Sequence, residues 1–420
     1  MFKRIIISIL VFEAKCAIKR WPSRIIGITG SVGKSSTKEA ISMVLQKKFK
    51  VRSSKKSYNS ELGLALAILG LETAWHDLSR WIKNIYLGFM EIFSKNPPEI
   101  LLLEMGIDRP QDMDTLISIV RPNIAVITAI GEIPVHIEYF SGSEEIAREK
   151  SKILKYLSAQ GYAILNADDD VVWDMKDKTN ARILSYGFGK DAHMIASNYK
   201  ISLEGISFKV DFDGASVPVR LFGVFGKHHV YPALSALLVG TIFDMNLIDS
   251  AGALQQYKSP PGRMQLLEGI KGSLVLDDSY NASPLATHAA LDTLLELEAK
   301  RKIVVFGDML EIGKYTIEAH KTVGERVAKI ADFFITVGQR SKFAAEEAIT
   351  QGMDKKNVLN FSTSNEAIET VKELIKEGNL ILVKGSQGMR MELIVEEIMA
   401  HPEQAFKLLC RQDEYWKNKK

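Results

Sequence analysis

The sequence contains very little cysteine and no strong excess of charge of either sign. Its two cysteines, Cys16 and Cys410, lie near opposite ends of 420 residues, so they offer neither a disulfide framework nor a Cys/His metal cluster. Lys and Arg number 54 and Asp and Glu 51, which leaves a net charge of +3. A balance this small and evenly spread argues against nucleic-acid binding. The scarcity of cysteine fits a reducing compartment and predicts a cytoplasmic protein.

Long apolar runs are also missing, with one short exception at the N-terminus. Residues 2–12 read FKRIIISILVF, but Glu13 and Lys15 interrupt the run, which is too short to span a bilayer. The pattern predicts that residues 1–22 form an apolar helix or strand that docks on the domain that follows. Two alternatives stay open, a peripheral membrane contact through residues 1–20 and an export signal.

The chain is too long for a single ordinary core. Changes in its residue pattern divide it into regions. Apolar runs at 24–29, 100–105 and 123–128 alternate with helical periods such as 34–49, which predicts a parallel sheet covered by helices. Shorter segments rich in Gly, Val and Phe follow between 182 and 225. They predict antiparallel strands that decorate the same domain.

A second α/β pattern begins after a break. A helix is predicted from His228 to about Leu247, and Ser-Pro-Pro-Gly at 259–262 then interrupts the chain. Beyond it, strands are predicted at 274–276, 303–306, 333–337, 358–361 and 380–383. We therefore predict an α/β fold with an apolar segment at 1–22, a P-loop-type parallel-sheet ATPase domain at 23–260 and a Rossmann-like α/β domain at 261–420. The charged C-terminal tail is predicted to fray.

A glycine-rich loop follows the first predicted strand and opens the first predicted helix. Gly30 and Gly33 allow a sharp turn and a close approach to phosphate, Lys34 adds a positive charge, and the Ser35 hydroxyl can bind Mg²⁺. Ile28 stands where the strict phosphate-loop pattern has glycine, so the chain contains a shorter form. The predicted phosphate-binding residues are Gly30, Ser31, Val32, Gly33, Lys34, Ser35 and Ser36.

The chain resembles the Mur ligase family through motifs that follow one another in the family's order over about residues 24–400. These motifs are GITGSVGKSSTK at 27–38, SYNSELGLALAIL at 57–69, LLLEMG at 101–106, RPNIAVITAIG at 121–131, IAREKSKIL at 146–154, FGKHHVYPALSAL at 225–237, PPGRMQLLEG at 260–269, LDDSYNASP at 276–284, VVFGDMLEIG at 304–313 and LVKGSQGMRME at 382–392. Each motif alone is modest, but their order and spacing together are specific.

The resemblance implies a catalytic set of Lys34, Glu104, His136 and Lys150. Glu104 would bind one Mg²⁺ together with Ser35, and His136 a second, with Lys150 carbamylated so that it becomes an anionic ligand. Each of these residues also has a structural alternative. Glu104 could cap a helix or form a salt bridge, His136 could be a buried structural histidine, and Lys150 could be one of several exposed lysines on its helix. The segment around His136 departs from the family, because Ala129 replaces a usual Asn and Pro134-Val135 are extra.

The resemblance also assigns residues beyond the break at 259–262. Arg263, Asp278 and Asn281 would contact the nucleotide, although Asp and Asn are also common in turns. The incoming amine would be positioned by Asp308, His320, Lys384, Ser386 and Arg390. His229 stands where relatives often have Asn, which weakens an adenine-binding role there.

The activity implied by the resemblance is ATP- and Mg²⁺-dependent amide-bond formation through an acyl phosphate. Its substrates would be UDP-MurNAc-tripeptide and D-Ala-D-Ala in peptidoglycan precursor synthesis. Only about 26 residues precede Gly27, whereas such enzymes carry a domain there that holds the UDP-sugar. The sequence therefore leaves three explanations: the two domains hold this substrate alone, a partner chain supplies the missing part, or the carboxylate is different, for example lipid-linked. Folylpolyglutamate- or cyanophycin-type ligation and a non-catalytic nucleotide-binding regulator are the competing hypotheses.

Overall fold

The computed structural model describes residues 2–54, 58–74, 77–134 and 136–417. The observations made on Ser57 and Val135 lie outside the described residues. Two sheets organise this part of the chain. The strands are β1 Arg24–Thr29, β2 Val51–Ser53, β3 Ile100–Glu104, β4 Ile124–Ile127, β5 Tyr162–Asn166, β6 Arg182–Gly187, β7 Met194–Ser202, β8 Gly205–Phe212, β9 Ala215–Phe222, β10 Gln265–Gly269, β11 Ser273–Asp278, β12 Arg301–Gly307, β13 Phe333–Val337, β14 Val358–Phe361 and β15 Asn379–Lys384.

Helices cover both sheets. They are α1 Phe2–Arg20, α2 Lys34–Leu45, α3 Glu61–Leu69, α4 Leu78–Ile92, α5 Asp112–Ile119, α6 Ser143–Lys155, α7 Asp170–Trp173, α8 Val230–Ile242, α9 Leu247–Leu254, α10 Pro284–Glu296, α11 Thr316–Ile330, α12 Lys342–Thr350, α13 Ser364–Leu374, α14 Glu392–Ile398, α15 Ala405–Leu408 and α16 Glu414–Lys417. The predicted α/β fold class is confirmed.

The first sheet has the strand order β2-β3-β1-β4-β5-β6-β7-β8-β9. Its strands are parallel from β2 to β7 and antiparallel from β7 to β9. The central strand is buried on both faces, because Ile26 and Ile28 belong to the core under α2 and α8 while Ile25 belongs to the core on the opposite face. This two-sided burial explains why the parallel strands read as continuous apolar runs.

The second sheet has the order β10-β11-β15-β12-β13-β14 and is parallel except for the edge pair β10–β11. One continuous cluster of buried apolar side chains extends from the first sheet into the second, with Ile130 and Leu291 among its members. The two sheets therefore belong to parts of the chain that pack on one another. The boundary predicted at residue 260 lies between Phe222, the end of β9, and Gln265, the start of β10; it stays a prediction.

Three predicted elements differ from the structure. The helix predicted over 34–49 ends at Leu45, because the Phe49 ring packs on Phe243 with centroids 5.4 Å apart and the chain turns into β2. The helix predicted over 228–247 stops at Ile242, because Asp244 adopts φ 53° and Asn246 caps α9. Strand β6 was expected to be antiparallel but pairs in parallel, since the α7 crossover returns the chain in the same direction.

The N-terminal segment forms helix α1, which packs on α3 and α4. Its buried side chains include Ile6, Leu10, Ala14 and Ala17, one face of the helix at helical spacing. Among the residues that the structure describes, no helix is both long and apolar enough to cross a membrane.

Candidate active site

The phosphate loop joins β1 to α2 at the point where the strand order reverses, with β3 on one side of β1 and β4 on the other. The backbone N–H groups of Ser31 and Val32 donate to the Ala129 carbonyl at 2.7 and 3.1 Å. Thr128 Oγ1 donates to the Val32 carbonyl at 2.7 Å. Gly30 has φ 144°, and a Cβ at this position would lie 2.0 Å from Thr128 Oγ1. The turn therefore requires glycine.

Lys34 and Ser35 open helix α2 at the mouth of this loop. Lys34 Nζ donates to the carbonyls of Gly30 at 2.8 Å and Ser31 at 3.4 Å. Burial lowers the pKa of Lys34 below its ordinary value, and the carboxylate of Glu104 opposes that shift. Ser35 Oγ donates to Glu104 Oε2 at 3.3 Å. A cation and a hydroxyl thus meet at a helix N-terminus, an arrangement that suits a nucleotide phosphate, and the carboxylate beside them suits the cation that accompanies it.

Behind Glu104 lies a second buried lysine, Lys38, which the sequence reasoning did not single out. Lys38 is 2% exposed and its Nζ lies 3.2 Å from Glu104 Oε1. The same Nζ donates to the Ser54 carbonyl at 2.5 Å. A carboxylate that is 1% exposed would be costly without this cation. The available signal was spacing, because Lys38 follows Lys34 by four residues and so lies on the same side of a helix.

Lys150 reaches the phosphate loop from α6. It is 4% exposed, and its Nζ donates to the Gly30 carbonyl at 3.1 Å. Burial, followed by the nearby charge of Lys34, lowers the pKa of Lys150 well below its ordinary value. The neighbouring Lys152 instead pairs with Glu149 and Asp114 at the surface of the helix. The structure therefore separates the buried lysine at the loop from the partly exposed Lys152, whose ammonium is paired with two carboxylates.

His136 lies where the two sheets meet. Its Nδ1 is 2.8 Å from Glu311 Oε2, on the loop after β12, and its Nε2 is 3.4 Å from Asp108 Oδ1. The bond from His136 lowers the pKa of Glu311. Sequence reasoning missed both carboxylates, because neither stands in a pattern that marks a site by itself.

The side of the cleft beyond β11 contains the predicted nucleotide contacts. Lys384 Nζ lies 2.5 Å from Asp278 Oδ2 and donates to the Asn281 carbonyl at 2.9 Å. Lys384 is 2% exposed, so this ion pair supports the strand ends rather than facing the cleft. The Arg263 guanidinium lies over the Tyr280 ring, 4.1 Å from its centroid.

The C-terminal tail closes this side, contrary to the expectation that it frays. Arg390 Cζ lies 5.6 Å, and Arg411 Cζ 5.9 Å, from the centroid of the Trp416 ring, which lines the cleft. Both arginines also bond to the buried carboxylate of Glu392, at 2.6 and 2.7 Å. The tail is held because the Trp416 ring contacts both arginines and Arg411 pairs with the Glu392 carboxylate. A charge pattern along the chain does not reveal these contacts.

These elements enclose a cleft of about 730 Å³ between the two sheets. The predicted residues that line it are Gly30, Ser31, Val32, Gly33, Lys34, Ser35, Glu104, His136, Lys150, Arg263, Asn281, Ser386 and Arg390. Side chains that sequence reasoning did not assign also line it, namely Asn59, Asp108, Tyr280, Glu311 and Trp416. A cleft of this size matches a small-molecule site.

The other predicted residues lie outside the cleft lining. Ser36 is buried behind the loop, and Asp278 and Lys384 pair with one another. Asp308 Oδ1 accepts the backbone N–H groups of Arg340 at 3.0 Å and Ser341 at 2.7 Å. His320 is fully buried, where its Nε2 accepts the Met309 N–H at 3.0 Å and its Nδ1 lies 2.6 Å from the Thr316 carbonyl. Asp308 and His320 therefore shape the loops after β12 and β13.

The predicted metal residues fit Mg²⁺ only in part. Among residues 2–54, 58–74, 77–134 and 136–417, no three His, Cys, Asp or Glu side chains are grouped so that they could hold a metal. The Ser35 hydroxyl and the Glu104 carboxylate nevertheless fit one Mg²⁺, because both are oxygen ligands and Ser35 Oγ lies 3.3 Å from Glu104 Oε2, while Lys38 pairs with the other oxygen, Oε1. An unmodified Lys150 ammonium is a donor only, so it fits a metal only after it becomes a carbamate.

A phosphate loop at the switch point of one sheet, facing a second α/β unit across a cleft, defines a nucleotide-binding enzyme of two α/β parts. Comparison with known protein families identifies which class of nucleotide-binding enzyme this is. Residues 84–240 match the Mur ligase middle domain, and residues 262–387 match the Mur ligase, glutamate ligase domain. The chain belongs to the Mur ligase family, whose members are ATP-dependent ligases.

Individual relatives point to one branch of that family. The chain is 30% identical to the UDP-N-acetylmuramoyl-tripeptide–D-alanyl-D-alanine ligase of Bacillus subtilis over 393 residues, which covers 93% of this chain and 79% of the relative. A crystal structure of MurF from Acinetobacter baumannii is 25% identical with a TM-score of 0.77, and the match covers 91% of this chain and 78% of that one. The MurF ligase of Thermotoga maritima in complex with ADP has the same fold, with 24% identity, a TM-score of 0.77 and coverage of 93% and 83%.

Proposed function

We propose that this chain joins D-Ala-D-Ala to the free carboxylate of UDP-MurNAc-tripeptide, with ATP converted to ADP and phosphate. The observation that carries the proposal is the cleft itself, in which Lys34, Ser35 and Glu104 of the first sheet face Asn281 and Arg390 beside the second. The similarity to the Bacillus subtilis ligase of that name supports the choice of substrates.

The first step is proposed to occur at the phosphate loop. The substrate carboxylate attacks the γ-phosphorus of ATP, the bond to the β-phosphate oxygen breaks, and ADP leaves. Lys34 lies where it can neutralise charge on the transferred phosphoryl group, and the N–H groups at the start of α2 would orient that group. Mg²⁺ held by Ser35 and Glu104, and a second ion near His136 and carbamylated Lys150, would supply further positive charge.

The second step requires the amine. The free amino group attacks the carbonyl carbon of the acyl phosphate, an amide forms, and phosphate leaves with the carboxylate oxygen. We propose that Arg390 orients the dipeptide, because it lines the cleft on the side opposite the phosphate loop, whereas Ser386 Oγ is already bonded to the Leu310 N–H. Asp308, His320 and Lys384 are proposed to act on the loops that carry these residues and not on the dipeptide, since their polar atoms bond within the second part of the fold.

The depressed pKa of Lys150 supports carbamylation. A lysine must be neutral to react with CO₂, and burial beside Lys34 favours the neutral amine. Bicarbonate should therefore raise the turnover of enzyme prepared without CO₂. The variant Lys150→Gln should be slow and insensitive to bicarbonate, while the control Lys152→Gln should behave like the parent chain. Equal turnover with and without CO₂ would argue against the modification.

The substrate assignment is tested by release of inorganic phosphate from ATP in the presence of Mg²⁺. Release should require UDP-MurNAc-tripeptide and D-Ala-D-Ala together, and one amide should form for each phosphate. Parallel reactions with folate and glutamate, and with an arginine–aspartate polymer, should stay at background. Turnover with one of these pairs instead would replace the assigned substrates, and turnover with none of them would favour a nucleotide-binding regulator.

A further inference from the structure

Helix α4 exposes a stripe of large apolar side chains. Its buried side consists of Asn84, Gly88 and Ile92, at a spacing of four residues. On the opposite side, Ile82, Tyr86, Phe89 and Phe93 are 62%, 63%, 53% and 51% exposed. Positions 82, 86, 89 and 93 fall on one line along a helix. A contiguous apolar stripe of this kind marks an interaction surface rather than ordinary scattered exposure.

Helix α1 extends this surface. The two helices pack closely, because a Cβ at Gly88 would lie 2.3 Å from Glu13 Oε2, and Arg20 Cζ lies 5.1 Å from the centroid of the Phe93 ring. Helix α1 exposes Ile5 and Phe12, which are 51% and 67% accessible. We call the surface formed by these exposed apolar side chains the α1–α4 face; it consists of Ile5, Phe12, Ile82, Tyr86, Phe89 and Phe93.

The charge around the α1–α4 face is positive. Residues 1–20 contain five Lys or Arg and one acidic residue, Glu13. Glu13 is only 4% exposed, and burial raises its pKa to about 7, so it adds little negative charge at the surface. Lys19, Arg80 and Lys83 are exposed, and the exposed acid Asp77 at the start of α4 accepts bonds from Arg80 and Ser79.

We propose that the α1–α4 face docks on an anionic lipid bilayer. The apolar side chains would enter the boundary between headgroups and acyl chains, while the flanking Lys and Arg side chains reach the lipid phosphates. A second copy of the same face would bring the cations of both copies together, which disfavours a symmetric dimer. None of the described helices can cross the bilayer, so the contact is peripheral.

Vesicle flotation of the full-length chain tests this assignment. The chain should float with vesicles of phosphatidylcholine and phosphatidylglycerol, and much less with phosphatidylcholine alone or at high salt. The double variant Lys19→Gln/Lys83→Gln should lower the partition coefficient about 30-fold, because each basic residue near an anionic surface contributes about fivefold. Phe89→Ser should lower it about tenfold. Ile248→Ser, at a residue 67% exposed on helix α9, is the matched control and should float like the parent chain.

Other outcomes would overturn the proposal. These are failure of the parent chain to float with anionic vesicles, and flotation that Phe89→Ser and the lysine variants leave unchanged. Light scattering tests whether a second copy of the chain covers this surface instead of a lipid bilayer. A dimer of the parent chain that Phe89→Ser converts into monomers would assign the α1–α4 face to a second copy. Phosphate release by each variant in solution, compared with the parent chain, shows that the site is intact.

Discussion

The two sides of the cleft use their predicted residues in different ways. On the first-sheet side, Lys34, Ser35 and Glu104 line the space between the sheets. On the second-sheet side, Asp308, His320 and Lys384 turn away from that space and bond to backbone groups or to a partner carboxylate. Motif residues on one side therefore contact the cleft, whereas many of those on the other side hold loops in place.

The difference follows from how each side is built. A phosphate loop is a short continuous segment, so residues adjacent in sequence face the same ligand. The second side is assembled from several strand ends, and each loop needs internal bonds before it can present a side chain. Asp308 accepts two N–H groups of the segment after β13, and Ser386 Oγ accepts the Leu310 N–H at 2.8 Å. A motif residue in such a region can therefore stabilise a loop without contacting the ligand.

The largest effect is expected at the phosphate loop. Lys34→Ala removes the cation beside the transferred phosphoryl group, so turnover should fall about 10³-fold or more with little change in the free energy of unfolding. Phosphate release under saturating substrates measures it. Lys47→Ala, at an exposed residue just beyond the same helix, is the control. Normal turnover of Lys34→Ala would place the reaction elsewhere.

The next largest effect concerns the buried pair behind the loop. Lys38→Met leaves the Glu104 carboxylate buried without its cation, which should lower the free energy of unfolding by about 3–5 kcal/mol. Urea unfolding measures the loss. The double variant Lys38→Met/Glu104→Gln should recover much of the stability without recovering turnover. Unchanged stability in Lys38→Met would show that the ion pair does not support the site.

On the second-sheet side, the structural role of His320 predicts a loss of stability with little effect on nucleotide binding. His320→Ala removes the acceptor of the Met309 N–H and opens a cavity, so the free energy of unfolding should fall by about 2–3 kcal/mol. The KM for ATP should stay near that of the parent chain. His401→Ala, at a histidine that is 53% exposed, should change stability by less than about 0.5 kcal/mol. A raised KM for the amine at unchanged stability would return His320 to the substrate site.

The effect that is smallest at neutral pH is a dependence of stability on pH, because it begins only as the pH falls below 6.5. Burial lowers the pKa of His228 to about 4, whereas the unfolded chain keeps the ordinary value near 6.5. Below pH 6.5 the unfolded state binds more protons than the folded state. The stability gained by keeping His228 neutral is therefore complete above pH 6.5 and is lost as the pH falls toward 4. The slope should reach about 1.4 kcal/mol per pH unit at most. Urea unfolding of His228→Gln should show a shallower slope than the parent chain, while His401→Gln should match it.

Much of the fold could be predicted from the sequence, because buried parallel strands read as apolar runs. The predicted bounds of β1, β13 and β14 agree with Arg24–Thr29, Phe333–Val337 and Val358–Phe361. The direction of β6 was wrong, because strand direction depends on the crossover and not on the residues of the strand. Helix ends were wrong where a single residue, such as Asp244 with positive φ, interrupts an apolar pattern.

The site was predictable only where its parts are continuous in sequence. The loop at Gly30–Ser35 could be located from its glycine spacing and from its place between a strand and a helix, and it lines the cleft. Lys38, Glu311 and Trp416 were missed because their importance depends on partners far along the chain: Glu104, His136 and Arg390. The resemblance to a family named motif residues, but it could not distinguish those that face the cleft from those that hold its walls.

The central claim is that the cleft makes an amide through an acyl phosphate, and an isotope measurement tests it most directly. UDP-MurNAc-tripeptide labelled with ¹⁸O in its free carboxylate is incubated with the chain, ATP, Mg²⁺ and D-Ala-D-Ala, and the released phosphate is analysed by mass spectrometry. Each amide formed should transfer one labelled oxygen from the carboxylate to inorganic phosphate. Amide formation with no label in the phosphate would contradict it.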